Sequence, residues 1–153
     1  MPKTSAGILM YRCTDELEVL IVHPGGPFWV NKHEGAWSIP KGEFDPGSEA
    51  PLDAAIREFS EELGHPLPGS NRIPLGEVTQ KGGKRIAAWA VEGDIDTDAV
   101  VSNTFEIQWP PGSGRLQEFP EVDRAEWVAI DAARRLLNPA QVAFLERLAK
   151  ALA

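Results

Sequence analysis

The stretch from Asp45 to Pro66 leaves the chain little choice of local structure. Asp45-Pro46-Gly47 is a turn signal, and Ser48 is the expected N-cap of a following helix. Pro51 falls in the first turn, where a missing N–H does little harm. Leu52, Ala55, Ile56, Phe59 and Leu63 recur at i, i+3, i+4, i+7 and i+11, which makes one apolar stripe. Gly64 ends the helix and Pro66 prevents its return. Glu58, Glu61 and Glu62 occupy the last turn and a half on a face other than the stripe. The helix can therefore pack on a core and still present its acids to a site.

That placement works against the helix itself. Glu58 and Glu62 are like charges at i,i+4, which costs about 0.2–0.5 kcal/mol in an isolated helix. They also sit near the negative end of the helix dipole, where cations are preferred. A sequence that accepts both penalties is expected to hold a cation there, and clustered carboxylate oxygens suit hard Mg²⁺ or Mn²⁺. The competing explanation is a solvated acidic face, and spacing alone does not choose between them.

Charge and length bound the alternatives. A formal net charge of −8 over 153 residues argues against binding a nucleic-acid polymer. It still permits a small anionic substrate where metal ions neutralise the site. The length fits one domain, 1–153, with a real core. Cys13 is the only cysteine, so no intrachain disulfide can form, which fits a reducing cytoplasm. The apolar run Ile8-Leu9-Met10 is too short for a secretory signal or a membrane span. The expectation is thus a cytoplasmic protein without a membrane partner; its oligomeric state leaves no trace in the sequence.

Other segments read more simply. Ser5 to Tyr11 and Glu18 to His23 are expected strands joined at Cys13-Thr14-Asp15-Glu16. A loop runs from Pro24 to about Ala36, and Trp37 to Ile39 is an expected short strand. Glu77 to Gln80 and Arg85 to Val91 flank Lys81-Gly82-Gly83-Lys84 as a hairpin. Phe105 to Trp109 and Trp127 to Ile130 are further expected strands, and residues 94–120 otherwise give no clear pattern. Asp131 to Leu137 and Ala140 to Leu152 have helical spacing, split by Asn138-Pro139. Strands around one central helix, with more helix near the end, predict an α/β sandwich.

The acidic segment resembles the signature of the Nudix hydrolases: Gly, five residues, Glu, seven residues, then Arg-Glu-aliphatic-any-Glu-Glu-any-Gly-aliphatic. Here Glu49 is followed by seven residues and then Arg57-Glu58-Phe59-Ser60-Glu61-Glu62-Leu63-Gly64. The chain departs from the signature twice. Six residues separate Gly42 from Glu49, and His65 stands where an aliphatic residue is usual. Trp37-Ser38-Ile39-Pro40-Lys41-Gly42 is similar to the approach to this box in the branch that cleaves dinucleoside polyphosphates. Glu121-Val122-Asp123-Arg124-Ala125-Glu126-Trp127 resembles a later segment in which a glutamate precedes a strand tryptophan.

The resemblance implies a Nudix-type α/β/α sandwich with a mixed sheet and a loop-helix-loop catalytic motif. It implies metal ligation by Glu58 and Glu62, with Glu61 a further ligand or the base, and with the Gly42 carbonyl and Glu121 completing the set. Glu118 and Glu106 are alternatives to Glu121. Arg57 and Glu49 are expected to pair, holding the loop to the helix, although a surface pair of little worth is the plain reading. Lys41 is a candidate phosphate contact as a point charge. Lys84 and Arg85, with Lys81, form the densest basic patch and are candidates for a polyphosphate chain. Trp29, in a Gly/Pro-rich loop, is the best candidate to stack a nucleobase, whereas Trp37 and Trp127 are expected in the core.

The reaction so implied is Mg²⁺- or Mn²⁺-dependent hydrolysis of a pyrophosphate bond in a nucleoside diphosphate linked to another group. A dinucleoside polyphosphate is the first expectation and a nucleoside triphosphate the second. A nucleotide-binding module without turnover is the reading from a different class.

Overall fold

A computed structural model describes residues 3–153. The first two strands, β1 (Thr4–Cys13) and β2 (Leu17–Pro24), pair antiparallel, as their apolar content and the intervening polar turn require. A three-residue strand β3 (Lys41–Glu43) adds to β1 just before helix α1 (Pro51–Leu63). A hairpin of β4 (Ile73–Thr79) and β5 (Arg85–Glu92) follows, and β5 lies parallel to β1. A separate hairpin of β6 (Thr104–Gln108) and β7 (Leu116–Pro120) leads to β8 (Val122–Ala129), which closes on β2. Helices α2 (Ile130–Leu136) and α3 (Val142–Ala151) end the chain, with a 3₁₀ turn at Pro139–Gln141 between them.

The main sheet runs β4-β5-β1-β2-β8, with β3 attached to β1. Its pleat sorts the core into two layers, because successive strand side chains point to opposite faces. Ala6, Ile8 and Met10 meet Ala54, Ala55, Phe59 and Leu63 of α1 on one face. Leu9 and Tyr11 meet Ala133 of α2, Leu137 just after it, and Phe144, Leu145 and Leu148 of α3 on the other. This is the mixed-sheet α/β/α sandwich the sequence predicts. Strands buried on both faces lose the polar alternation of a half-exposed sheet, which is why β1 reads as a nearly continuous apolar run.

Several expectations need correction. Ser48 does not cap α1. The N-cap is Ala50, without a side-chain bond, and Pro51 opens the helix. The Ser48 hydroxyl instead donates to Asp45 Oδ2 at 2.8 Å, within the turn where Gly47 N–H donates to Asp45 Oδ1. Trp37 to Ile39 is not a strand. It makes only single bridges, Ser38 with Val22 and Trp37 with Leu137, and the ladder begins at Lys41. Strand β7 went unread because its residues are mostly solvent-facing and follow a Pro-Pro-Gly-Ser-Gly loop, and β8 begins five residues before the expected Trp127. Trp37 is buried as expected at 2% exposure, while Trp127 is only partly covered, with the Arg12 guanidinium 4.3 Å from its ring centroid. No helix among the described residues is long and apolar enough to cross a membrane.

Candidate functional site

The site lies where β3, the C-terminal half of α1 and the start of β8 converge. Gly42 is placed against the helix because nothing larger fits. A Cβ there would come within 2.0 Å of the Glu58 carboxylate. The residue in excess of the signature is absorbed upstream, where Ser48 and Glu49 N–H both donate to the Asp45 carbonyl in a local turn. The close approach of Gly42 to the helix therefore survives the longer loop. His65, the other departure, is exposed beyond the helix and holds its ring against the Pro66 carbonyl.

Arg57 organises the acids. Its Nε and Nη2 donate to the two carboxylate oxygens of Glu49, each at 2.9 Å, in the bidentate geometry that makes such pairs strong. Its Nη1 donates to Glu58 Oε1 at 2.8 Å and Glu61 Oε2 at 3.1 Å. The expected pair between Arg57 and Glu49 is thus present, and the same guanidinium partly offsets the repulsion within the cluster. Glu62 points another way, accepting from the Lys41 backbone N–H at 3.2 Å.

Glu121 arrives from outside the helix. Its N–H donates to the Asn103 carbonyl at 2.8 Å, and Asn103 N–H donates to the Glu61 carbonyl at 3.1 Å. The bend between β7 and β8 that carries Glu121 is therefore tied through one residue to the end of α1. Glu121, Glu62, Lys41 and Ser38 line a common cavity of about 100 Å³. Glu106 and Glu118 face each other across the β6–β7 hairpin, fully exposed, and line none of this cavity.

Burial and mutual repulsion set the electrostatics. Glu62 is pushed up to about 8, first by desolvation, with Lys41 opposing and Glu58 and Glu121 adding. Desolvation also raises Glu58, against the pull of Arg57, and raises Glu121, helped by Glu61. The Lys41 ammonium is held below its usual range by burial and then by Lys84. The acids are thus short of positive charge. Among the described residues, no three His, Cys, Asp or Glu side chains stand as a ready metal cage. Arg57 Nη1 bridges one oxygen each of Glu58 and Glu61. The donor set is nonetheless all oxygen and carries surplus negative charge, which fits a hard divalent ion.

A second cavity, of about 190 Å³, adjoins the first and shares Pro24, Ser38 and Lys41 with it. Trp29, Trp37, Gln80, Asn138 and Gln141 line the rest. Trp29 is 40% exposed, with the Lys32 ammonium 5.3 Å from its ring centroid. Its loop is anchored at His23, whose Nε2 donates to the Lys32 carbonyl at 2.6 Å while Nδ1 meets Asp123 Oδ1 at 2.8 Å. Lys84 is close enough to Lys41 to act on its titration. Arg85 is turned away. It pairs with Glu77 at 3.6 Å and lines a different depression with Lys3 and Asp45. Gln80, Asn138 and Gln141 escaped the sequence reading because lone amides carry no spacing signal.

Among proteins of described activity, an 8-oxo-(d)GTP phosphatase of Mycolicibacterium smegmatis is 34% identical over 100 residues, covering 63% of this chain and 24% of that protein. The chain thus matches only about a quarter of that relative's length. Among solved structures, a C. elegans Ap4A hydrolase binary complex superposes with a TM-score of 0.67 at 21% identity over 97% of each chain. The NUDIX domain of Shewanella oneidensis NrtR, complexed with ADP ribose, gives 0.65 at 14% identity over 100% of this chain and 90% of that one. At such identities these two likenesses speak for the fold. A family model described as the NUDIX domain matches residues 1–148, nearly the whole sequence, and the chain belongs to that family.

Proposed function

We propose that the chain hydrolyses a phosphoric anhydride bond in a nucleoside diphosphate linked to another group, with a dinucleoside polyphosphate as the preferred substrate. One observation carries this reading. Glu62 and Glu121 share a cavity with Lys41, while Glu58 and Glu61 stand beside them on α1. Few arrangements other than a metal-assisted anion site use crowded acids next to a lysine that burial has weakened. The segment Trp37 to Gly42, similar to the approach to the box in the branch that cleaves dinucleoside polyphosphates, supports the choice of substrate.

Mg²⁺ or Mn²⁺ would be held by carboxylates of Glu58, Glu61, Glu62 and Glu121 and by the Gly42 carbonyl. Such an ion, when bound, supplies charge neutralisation on phosphate oxygens and a more acidic water. The chain's own groups do the rest. A carboxylate of the cluster accepts the proton of the attacking water, Lys41 meets phosphate oxygens as a point charge, and Trp29 offers a flat face to a base. Lys84 lies near enough to extend the cationic wall, and Arg85 would join it only by leaving Glu77. A cytoplasmic location, one domain over 1–153 and a free small-molecule substrate belong to the same reading.

The test is nucleotide release from a panel of dinucleoside polyphosphates and nucleoside triphosphates, with and without Mg²⁺. Metal-dependent release that Glu62→Gln abolishes is the expected result. Unchanged turnover in Glu62→Gln contradicts it. The second reading, cleavage of nucleoside triphosphates including oxidised ones, is favoured by the M. smegmatis relative. It takes over if triphosphates are turned over and dinucleoside polyphosphates are not. Affinity without turnover across the panel would leave a binding module.

A further inference from the structure

The cavity beside the acids is a built site rather than a gap in packing. At about 190 Å³ it far exceeds the ~10–15 Å³ needed for one water. A chain of hydrogen bonds fixes the polarity of its walls. Ile39 N–H can only donate, and it donates to Gln141 Oε1 at 2.9 Å. The Gln141 amide nitrogen must therefore face the other way, where it gives its hydrogens to Ser38 Oγ at 3.1 Å and to Gln80 Oε1 at 3.0 Å. Ser38 spends its own hydrogen on the Ile39 carbonyl at 2.7 Å. Gln80 is left with its oxygen engaged and its NH₂ group uncommitted. The same reasoning applies to Asn138, whose Oδ1 accepts from Ala140 N–H at 3.0 Å, leaving NH₂. Trp37 adds an indole Nε1–H that is buried without a partner. An unmet buried donor is costly, and a ligand acceptor would relieve it.

The side-chain groups lining this cavity that have no partner at all, the Lys41 ammonium, the Trp37 indole N–H and the NH₂ groups of Gln80 and Asn138, are thus donors, while each acceptor already takes one hydrogen bond. A flat apolar face, Trp29, stands at the opening. We propose that this cavity receives the nucleobase of the substrate and selects bases that present a carbonyl, so that 6-oxopurines are preferred to 6-aminopurines, with Gln80 as the selecting residue and Gln141 as the residue that orients it. An exocyclic amine would meet the Gln80 NH₂ donor to donor, whereas an oxo group accepts from it. The inference rests on the nucleotide-substrate reading above and specifies which base that substrate carries.

Inosine and adenosine 5′-monophosphates differ only along one edge of the base, in the 6-substituent and the proton on N1, and contain no anhydride to cleave, so their binding can be read by tryptophan fluorescence without turnover. The inosine compound is expected to bind about tenfold more tightly, the equivalent of roughly one well-placed hydrogen bond. Gln80→Ala should erase the preference. Gln80→Glu, which turns the free donor into an acceptor, should erase or reverse it. Trp37→Phe, which keeps the ring and removes the N–H, should weaken inosine binding severalfold. Equal binding of the two nucleotides, binding of neither, or a preference unchanged in both Gln80 variants would overturn the proposal. Ribose 5-phosphate binding as well as the inosine compound would place a phosphate in the cavity and overturn it too. A protein that shows the preference but cleaves no anhydride would retire the hydrolase reading and leave this one intact.

Discussion

The two halves of the cleft are held in opposite ways. On the α1 side, four carboxylates crowd a region with one shared guanidinium and one weakened lysine, and burial raises Glu58, Glu62 and Glu121 above the ordinary carboxylate range. On the Trp37 side, Ile39, Gln141, Ser38 and Gln80 form a relay in which each acceptor is engaged and the groups left without a partner are donors. The first half is electrostatically frustrated, and the second is held in one direction by its relay. Frustration of this kind is a readiness to bind charge, while a fixed relay sets which way the free donors point. The pairing suggests a division of labour, with chemistry on the acidic side and selection on the amide side.

The largest expected effect breaks the acidic half. Glu62→Gln should lower anhydride hydrolysis by about 10²–10⁴-fold, the usual range for removing a proton-transfer group. The same variant should make the metal-free protein more stable at neutral pH, because an amide escapes the cost of protonating a carboxylate that is ionised in the unfolded chain. Steady-state kinetics and thermal melts on one preparation check both outcomes, and loss of activity together with loss of stability would argue for simple misfolding.

Gly42→Ala should come next. The added methyl meets the Glu58 carboxylate well inside van der Waals contact. Displacing a reacting group by about 1 Å can cost ~10²-fold in rate, so turnover should fall by that order while the circular dichroism spectrum is kept. An alanine variant with full turnover would show that Glu58 does not need its present position.

The third prediction concerns pH. Burial pushes Glu62 up to about 8 in the folded chain, from an ordinary value of 4.5. Between those values the folded state binds more protons than the unfolded state, so stability falls as pH rises through that window and is greatest below it. The metal-free protein should therefore lose on the order of 1–3 kcal/mol from pH 5 to pH 8, measured by urea unfolding. Mg²⁺ should remove most of the slope, and a slope of the opposite sign contradicts the assignment.

The acidic half was legible in the sequence because its chemistry depends on helical spacing. Arg57, Glu58, Glu61 and Glu62 announce themselves at intervals of one, three and four, and the stripe through Phe59 and Leu63 tells which face is buried. The amide half was not legible. Gln80, Ser38 and Gln141 are far apart in sequence and come together only because the residue after β4, the segment bridged to Val22 and the turn before α3 converge. The β6–β7 hairpin was half-read for a related reason: β6 alternates Phe105 and Ile107 with outward polar residues, whereas on β7 the outward face carries Leu116 and Pro120 beside Glu118 and so breaks the alternation. Ser48 misled because its hydroxyl had a nearer partner in Asp45 than the helix offered.

The smallest expected effect sharpens the boundary between the halves. Arg57→Lys keeps the charge but loses the two-pronged grip on Glu49. A stability loss of about 1 kcal/mol or less is expected for a half-exposed pair, with a few-fold loss of turnover as Glu58 and Glu61 are less firmly spaced. Urea unfolding and kcat measurements would show it.

Mn²⁺ titration followed by paramagnetic broadening of backbone amide signals asks most directly whether crowded carboxylates gather a divalent ion. Broadening centred on Gly42, Glu58, Glu62 and Glu121, and strongly weakened in Glu62→Gln, is the predicted result. Uniform or absent broadening at those residues would contradict the account.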